Sequence, residues 1–389
     1  MIEREIAEKI KELAAKFPVV SLTGPRQSGK TTLIKSLFPD KAYVTLEDVD
    51  MRIFASSDPR GFLASYPNGA ILDEVQRVPD LFSYLQGIVD QHGIAGEFIL
   101  SGSQNFLLME SISQSLAGRA AILKLMPFSN RELTSTKFFS HGLEERIFTG
   151  GYPPIYDKDI APSSFFSSYI QTYVERDIRQ LKNIHDLGLF ARFLKLCAAR
   201  TGQLINFSSL AADCGISHFT AQSWLSLLQT SYIIYLLQPH HINFTKRLTK
   251  MPKLYFYDTG LACHFLNITE SSQLKTHFMR GSLFENMVIM EIVKHYTNMG
   301  QEAPVFFWRD KTGNEIDCLI ELTDGLQLIE IKSAHTFHSE FAKNIEYYEK
   351  LNQDKYLTRN FIVYAGDTAQ QRTLFTLTPW NQDLFSKSQ

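Results

Sequence analysis

The chain has 389 residues, 44% of them hydrophobic and 21% charged, which suits a globular protein of two or three domains and excludes a disordered one. A formal charge of −2 and a pI near 6.6 exclude a polycation, so any nucleic-acid binding would need a local Lys/Arg patch. Four scattered cysteines (Cys197, Cys214, Cys263, Cys318) with no CxxC pair, and histidines without HExxH or metal-finger spacing, argue against a disulfide framework or a structural zinc site.

The first segment, MIEREIAEKIKELAAKF, places Ile6, Ile10, Leu13 and Ala14 at helical spacing and reads as a charged helix rather than a signal peptide. No run approaches ~18 uninterrupted apolar residues, so no membrane span is expected, and the cytoplasm is the expected address. Val19 to Leu22 is β-prone and ends in Gly24-Pro25, after which residues 29–37 resume helical character. Ala42–Leu46, Ala70–Leu72 and Phe98–Leu100 are further expected strands, with a helix over 80–92. Strands alternating with helices predict a parallel α/β sheet.

The pattern changes after Leu125-Met126-Pro127, with helix and loop over 129–147 and a breaker cluster, Gly150-Gly151-Tyr152-Pro153-Pro154, that ends the first domain near residue 150. A helical region follows to about residue 200. Over 206–237, two short helices joined by Cys214-Gly215-Ile216-Ser217 have helix-turn-helix spacing, and Ile233–Leu237 begins a wing. From about 278 the chain reads as a helix (283–296) and then strands at 305–308, 315–322 and 326–331.

Gly24-Pro25-Arg26-Gln27-Ser28-Gly29-Lys30-Thr31 fits G-x-x-x-x-G-K-[ST]. The glycines let backbone N–H groups wrap inward around phosphates where a side chain would collide. Lys30 reaches the β and γ phosphates, the Thr31 hydroxyl ligates Mg²⁺, and the helix that starts here, with Thr32 in its first turn, points its positive end at the anion. Ala70-Ile71-Leu72-Asp73-Glu74 runs an apolar strand into two carboxylates. Asp73 would hold Mg²⁺ through its water shell, and Glu74 would polarise the attacking water. Ser101 or Ser103, past the strand 98–100, is a candidate for the γ-phosphate or the lytic water. Arg119 is a candidate transition-state cation, within the chain or across a subunit interface, and Arg176 is a weaker one. No guanine-reading N-K-x-D motif occurs, which favours ATP.

The motifs GPRQSGKTTL, ILDEVQ, LSGSQNFLL, SLAGRA, YVERDI, PKLYFYDTGL, RGSLFEN and FFWRDKTGNEIDCLIE together resemble a prokaryotic AAA+ ATPase that carries a C-terminal domain of unknown function, number 4143. The resemblance implies an α/β P-loop NTPase (AAA+) parallel-sheet core (1–150), a helical lid (151–200), a winged helix-turn-helix (201–260) and an α/β restriction-endonuclease-like domain (275–389). ATP and Mg²⁺ are the implied cofactors.

In the last third, Glu330 and Lys332 share one face of a strand, Asp317 lies on the strand before it, and Glu285 is offered by the preceding helix. Three carboxylates in this order could bind Mg²⁺ while Lys332 orients a water. The E…D…ExK order resembles the restriction-endonuclease motif, and a nuclease-like fold used only for binding or packing is the alternative. The helix from Ser217 could enter a DNA groove, yet it is poor in Lys and Arg; the basic residues follow at Lys246, Arg247, Lys250 and Lys253. DNA and a second copy of the chain are candidate partners. Three readings stay open: a DNA-associated ATPase, a nucleotide-dependent signalling or defence switch whose C-terminal domains bind protein partners, and a regulator that holds ATP as a structural ligand.

Overall fold

The computed structural model of the chain describes residues 2–102, 112, 114–134, 136–140, 142–172, 186–240, 251–353 and 355–385. Five strands form the first sheet: β1 (Val19–Thr23), β2 (Ala42–Thr45), β3 (Ala70–Asp73), β4 (Phe98–Ser101) and β5 (Ala120–Lys124). Their order is β2-β3-β4-β1-β5, and every pair is parallel, as the alternation of strands and helices predicts. The edge strand β5 is the one element of this sheet that the sequence reading did not single out.

Strands β1, β3 and β4 are buried on both faces, which is why they read as unbroken apolar runs rather than alternating ones. Val19, Leu72 and Leu100 pack on one side with Phe82 and Leu85 from the helix Leu81–His92. Val20, Leu22, Ile71 and Ile99 pack on the other, with Ile6 and Ile10 of the N-terminal helix and Leu33 and Ile34 of the helix Lys30–Leu37. The register sets Thr45 beside Asp73 and Asp73 beside Ser101. The C-terminal tips of β1 to β4 therefore meet at one sheet edge, where open α/β sheets bind their ligands.

The rest of the chain builds a second body. One hydrophobic core runs from Phe128 to Ala365 through the segments 151–200, 201–260 and 275–389, and a second packs Ile316, Leu328 and Ile362 within the last segment. The helices Phe207–Cys214 and His218–Thr230 form the expected pair, with Gly215 at φ 80° closing the first and the Ser217 hydroxyl accepting the Thr220 N–H to open the second. Trp224 on the second helix packs edge-on against Phe190 and Phe193.

The following hairpin, β6 (Ile234–Pro239) with β7 (Lys253–Phe256), does not stand alone. Strand β6 runs parallel to β8 (Val305–Arg309) at Gln238–Phe306 and Pro239–Phe307. The hairpin thereby extends a mixed sheet of eight strands that continues through β9 (Glu315–Leu322), β10 (Gly325–Lys332), β11 (Thr358–Tyr364), β13 (Thr376–Pro379) and β12 (Gln370–Gln371). The buried helix Arg280–Asn298 contacts β10, and its Asn286 amide exchanges two hydrogen bonds, of 2.7 and 2.8 Å, with the Phe256 backbone of β7.

The Gly150–Gly151 breaker is a seam rather than a free linker. Asp258 accepts the Gly151 N–H at 2.7 Å, and a Cβ on Gly150, at φ 68°, would stand 2.1 Å from an Asp258 carboxylate oxygen. Burial pushes the Asp258 carboxyl above its usual range, against the two backbone N–H groups that favour its charge.

Candidate active site

Strand β1 delivers the chain to the sheet edge at Gly24. There φ is 138°, and a side chain would place Cβ 2.2 Å from the Leu125 carbonyl oxygen, so only glycine fits. Gln27 at φ 60° and Gly29 at φ 91° turn the backbone again before the helix Lys30–Leu37 begins. Such alternation of backbone hand makes a concave nest of N–H groups, and the helix start adds its dipole.

Lys30 is only 6% exposed. Its ammonium donates to the carbonyls of Gly24 and Pro25 at 3.0 and 2.8 Å. Burial pushes it down to about 8, while Glu74 and Asp73 pull in the opposite direction. Arg26 and Thr32 line the same cleft, and the Arg26 guanidinium stands 4.0 Å from Glu47. The Ser28 hydroxyl is buried without a hydrogen-bond partner among the described residues.

Asp73 collects donors from the two neighbouring strands, the cradle helix and the next residue of its own chain. Thr31 Oγ1 and the Tyr43 hydroxyl each donate to Oδ2 at 2.9 Å. The Ser101 hydroxyl donates to Oδ1, as does the Glu74 N–H at 3.2 Å. Burial, reinforced by the Asp73 charge, raises the Tyr43 phenol well above its usual range, so it stays a donor. Glu74 adopts φ 53°, a left-handed conformation that costs about 1–3 kcal/mol for a residue with a side chain. Its carboxylate accepts a hydrogen bond from the Gln76 amide, which is 3% exposed.

Between the cradle and the helices Pro153–Asp157 and Pro162–Tyr169 lies a cleft of about 650 Å³ lined by Lys30, Thr31, Glu74, Phe128, Pro153 and Tyr169, among others. Its volume suits a nucleotide, and its walls pair an anion-binding end with apolar and aromatic surface. Arg4 fixes the floor: it donates to the Ser28 carbonyl at 2.9 Å, to the Met126 carbonyl at 2.5 Å and to Glu132 at 2.9 Å, and its guanidinium lies over the Phe128 ring. These residues fit a triphosphate with Mg²⁺: a buried cation, a concave N–H nest, a hydroxyl and a carboxylate share one end of a nucleotide-sized cleft.

Other expected site residues fall elsewhere. Arg119 sits at the opposite end of the sheet, where its carbonyl accepts the Val19 N–H at the start of β1. Its guanidinium pairs with Asp90 at the surface, with Nη2 2.8 Å from Oδ2. The expected role for Arg119 within its own site is thus corrected: parallel pairing with β1 puts the residue before β5 a full strand length from the cradle. Ser103 and Arg176 lie outside the described residues. The sequence reading missed Arg4, Tyr43 and Gln76. Only Gln76, two residues after Asp73-Glu74, carried a local signal.

The second expected cluster does assemble, but around ammonium groups. Lys332 Nζ lies 3.1 Å from Asp317 and 2.5 Å from the fully buried Glu330. Asp317 also accepts the Ile331 N–H at 2.8 Å. Glu285 instead meets Lys253, at 3.0 Å, and the Tyr255 hydroxyl, at 2.6 Å. Burial and then the Asp317 charge push the Glu330 carboxyl up to about 8. Among the described residues no group of three or more His, Cys, Asp or Glu could hold a metal ion, and the partners these carboxylates have are Lys253 and Lys332. Lys253 is 3% exposed and unavailable to a phosphate backbone, while Lys246, Arg247 and Lys250 lie outside the described residues. The helix His218–Thr230 exposes His218, Phe219, Gln222, Ser226 and Gln229, with no Lys or Arg among them.

Residues 16–134 match the AAA domain family. Residues 140–272 match a domain of unknown function, DUF8612, and residues 280–382 match another, DUF4143. An uncharacterized protein of Mycobacterium tuberculosis (strain ATCC 25618 / H37Rv) is 30% identical over 371 residues, covering 94% of this chain and 80% of the relative. A protein of Haemophilus influenzae is 22% identical over 211 residues, covering 51% of each. Among solved structures, the Walker-type ATPase of Pyrococcus abyssi covers 68% of this chain and 96% of its own at 14% identity and a TM-score of 0.45. The Holliday junction branch migration motor of Thermotoga maritima covers 60% and 89% at 20% identity and a TM-score of 0.30. No helix among the described residues is long and apolar enough to cross a membrane.

Proposed function

We propose, from the premise that this chain belongs to the AAA-type P-loop ATPases that carry a DUF4143 domain at the C-terminal end, that it hydrolyses ATP at the 24–31 cradle and uses the nucleotide state as a switch. The observation that carries this reading is the convergence of Lys30, Thr31, Asp73 and Glu74 at one end of the cleft. Lys30 binds the β and γ phosphate oxygens, and the backbone N–H groups of residues 26–31 orient them. Thr31 and Asp73 would hold Mg²⁺, which when bound supplies charge neutralisation at those oxygens. Glu74 takes a proton from a water as the water oxygen bonds to the γ-phosphorus and the bridging P–O bond breaks, leaving ADP and phosphate.

The switch has a physical route to the second body. Thr23, the last residue of β1 before the cradle, shares a 3.0 Å hydrogen bond with the Tyr232 hydroxyl at the end of the helix-turn-helix segment. On the other side of the site, Glu132, held by Arg4, caps the N–H of Ser129 at 2.9 Å. Next to it, the Asn130 N–H donates to Glu291 of the helix Arg280–Asn298 at 2.6 Å. A change at the cradle thus bears on elements that pack with the C-terminal domain.

The uncharged face of the helix His218–Thr230 favours a protein partner over a DNA groove, because phosphate contacts need Lys or Arg. Phosphate release measured with and without duplex and single-stranded DNA tests this choice, with Lys30→Ala as control. The switch reading expects slow turnover that DNA leaves unchanged and that Lys30→Ala abolishes; stimulation by DNA would restore the DNA-associated reading.

A further inference from the structure

Lys253 opens strand β7, opposite Leu237 of the hairpin and bridged to Leu204. Its side chain turns inward, 3% exposed, and its ammonium lies 3.0 Å from Glu285 on the helix Arg280–Asn298 and in contact with Glu315 at the start of β9. Tyr255, two residues on and on the same face of β7, donates to the same Glu285 oxygen at 2.6 Å. The neighbouring carboxylates are occupied in the same manner: Lys332 joins Asp317 to Glu330, the Ile331 N–H donates to Asp317, and Arg309 reaches Glu315 at 3.0 Å. A divalent cation bound here would have to displace these ammonium groups from the carboxylate oxygens it uses. Even a hydrated ion held through one or two of them would stand beside two ammonium groups within a few ångströms, where like charges repel strongly in a buried setting.

We propose that Lys253 is the resident cation of this cluster: its ammonium, set between Glu285 and Glu315, takes the place of a metal and fastens the β6–β7 hairpin to the C-terminal domain. The domain then takes up no Mg²⁺ at Glu285, Asp317 and Glu330, and it works as a docked module rather than as a metal-dependent phosphodiesterase. The inference stands apart from the ATPase reading, since none of its residues touches the nucleotide cleft.

The inference is tested by titrating Mn²⁺ into the full-length chain, with free ion counted by electron paramagnetic resonance, for the wild type, Asp317→Asn and Lys253→Met. The wild type and Asp317→Asn are expected to bind equal amounts, because the cluster contributes no site. Lys253→Met, which leaves buried carboxylates without their counter-charge, is expected to bind about one more Mn²⁺ per chain and to melt at a higher temperature with Mn²⁺ than without. Loss of one bound ion in Asp317→Asn would overturn the inference, and so would a folded Lys253→Met that gains none. Should Lys253→Met fail to fold, as judged by circular dichroism, the comparison of wild type with Asp317→Asn decides alone.

Discussion

The Thr31 hydroxyl donates to Asp73 Oδ2 at 2.9 Å, joining the first turn of the cradle helix to the tip of β3. Tyr43 donates to the same oxygen and Ser101 to the other, so Asp73 is held from both neighbouring strands. A carboxylate fixed in this way needs little rearrangement to receive a hydrated metal ion, and preorganisation of this kind is where an active site gains most of its electrostatic effect.

With Lys30 in the proposed phosphate-binding role, its buried ammonium should make nucleotide affinity depend on pH. Its value in the fold, about 8, lies below its ordinary 10.5. Between those two values the unfolded chain binds more protons than the fold, so the nucleotide-free fold gains stability as pH rises through that window. Nucleotide binding has the opposite sign, because the triphosphate needs the charged form. ATP affinity should hold below pH 8 and then fall, by up to about tenfold per unit. Calorimetry in two buffers of different ionisation enthalpy should record proton uptake near pH 8.5; affinity unchanged from pH 7 to 9.5 would contradict the assignment.

Arg4→Ala should destabilise the chain and weaken ATP binding together. The Arg4–Glu132 pair is almost wholly buried, with side chains 4% and 1% exposed, and removal of one partner of such a pair costs about 3–5 kcal/mol. The same change releases the Ser28 carbonyl, which anchors the cradle from below. Denaturant unfolding and an ATP titration on the one variant check both parts; an unaltered ATP affinity would show that the cradle does not need this support.

Gln76→Leu should spare ATP binding and slow its turnover. The Gln76 amide holds the Glu74 carboxylate, and its own carbonyl oxygen is buried without a partner among the described residues. Loss of that restraint on the proposed catalytic base is expected to lower the turnover rate by about ten- to hundred-fold. A change in KM with kcat preserved would assign Gln76 to binding instead.

The cradle was legible because its demands are local. A glycine where only glycine fits, a lysine and a hydroxyl at fixed spacing, and a strand running into Asp73-Glu74 all lie within short windows of sequence. The inner strands were legible for a related reason, since burial on both faces produces unbroken apolar runs, whereas β5 alternates in burial and blends into its surroundings. Arg4 and Tyr43 reach the site only through tertiary contact with distant residues. Lys253 is the sharpest case. It stood in the sequence as one of the basic residues following the helix-turn-helix, yet the pairing of β6 with β8 carries β7 over the carboxylates and buries it. The place of Arg119 relative to its own cradle was hidden in the same way: only the register of β5 against β1 reveals which end of the sheet it occupies.

The proposed hydrolysis turns on Glu74 activating water for attack on ATP held by the cradle, which steady-state phosphate release by Glu74→Gln beside the wild type at saturating Mg-ATP tests. The substitution keeps size and hydrogen bonding while removing the base, so turnover should fall by about 10²- to 10⁴-fold with ATP still bound. Equal rates in the two proteins would rule out Glu74 as the base.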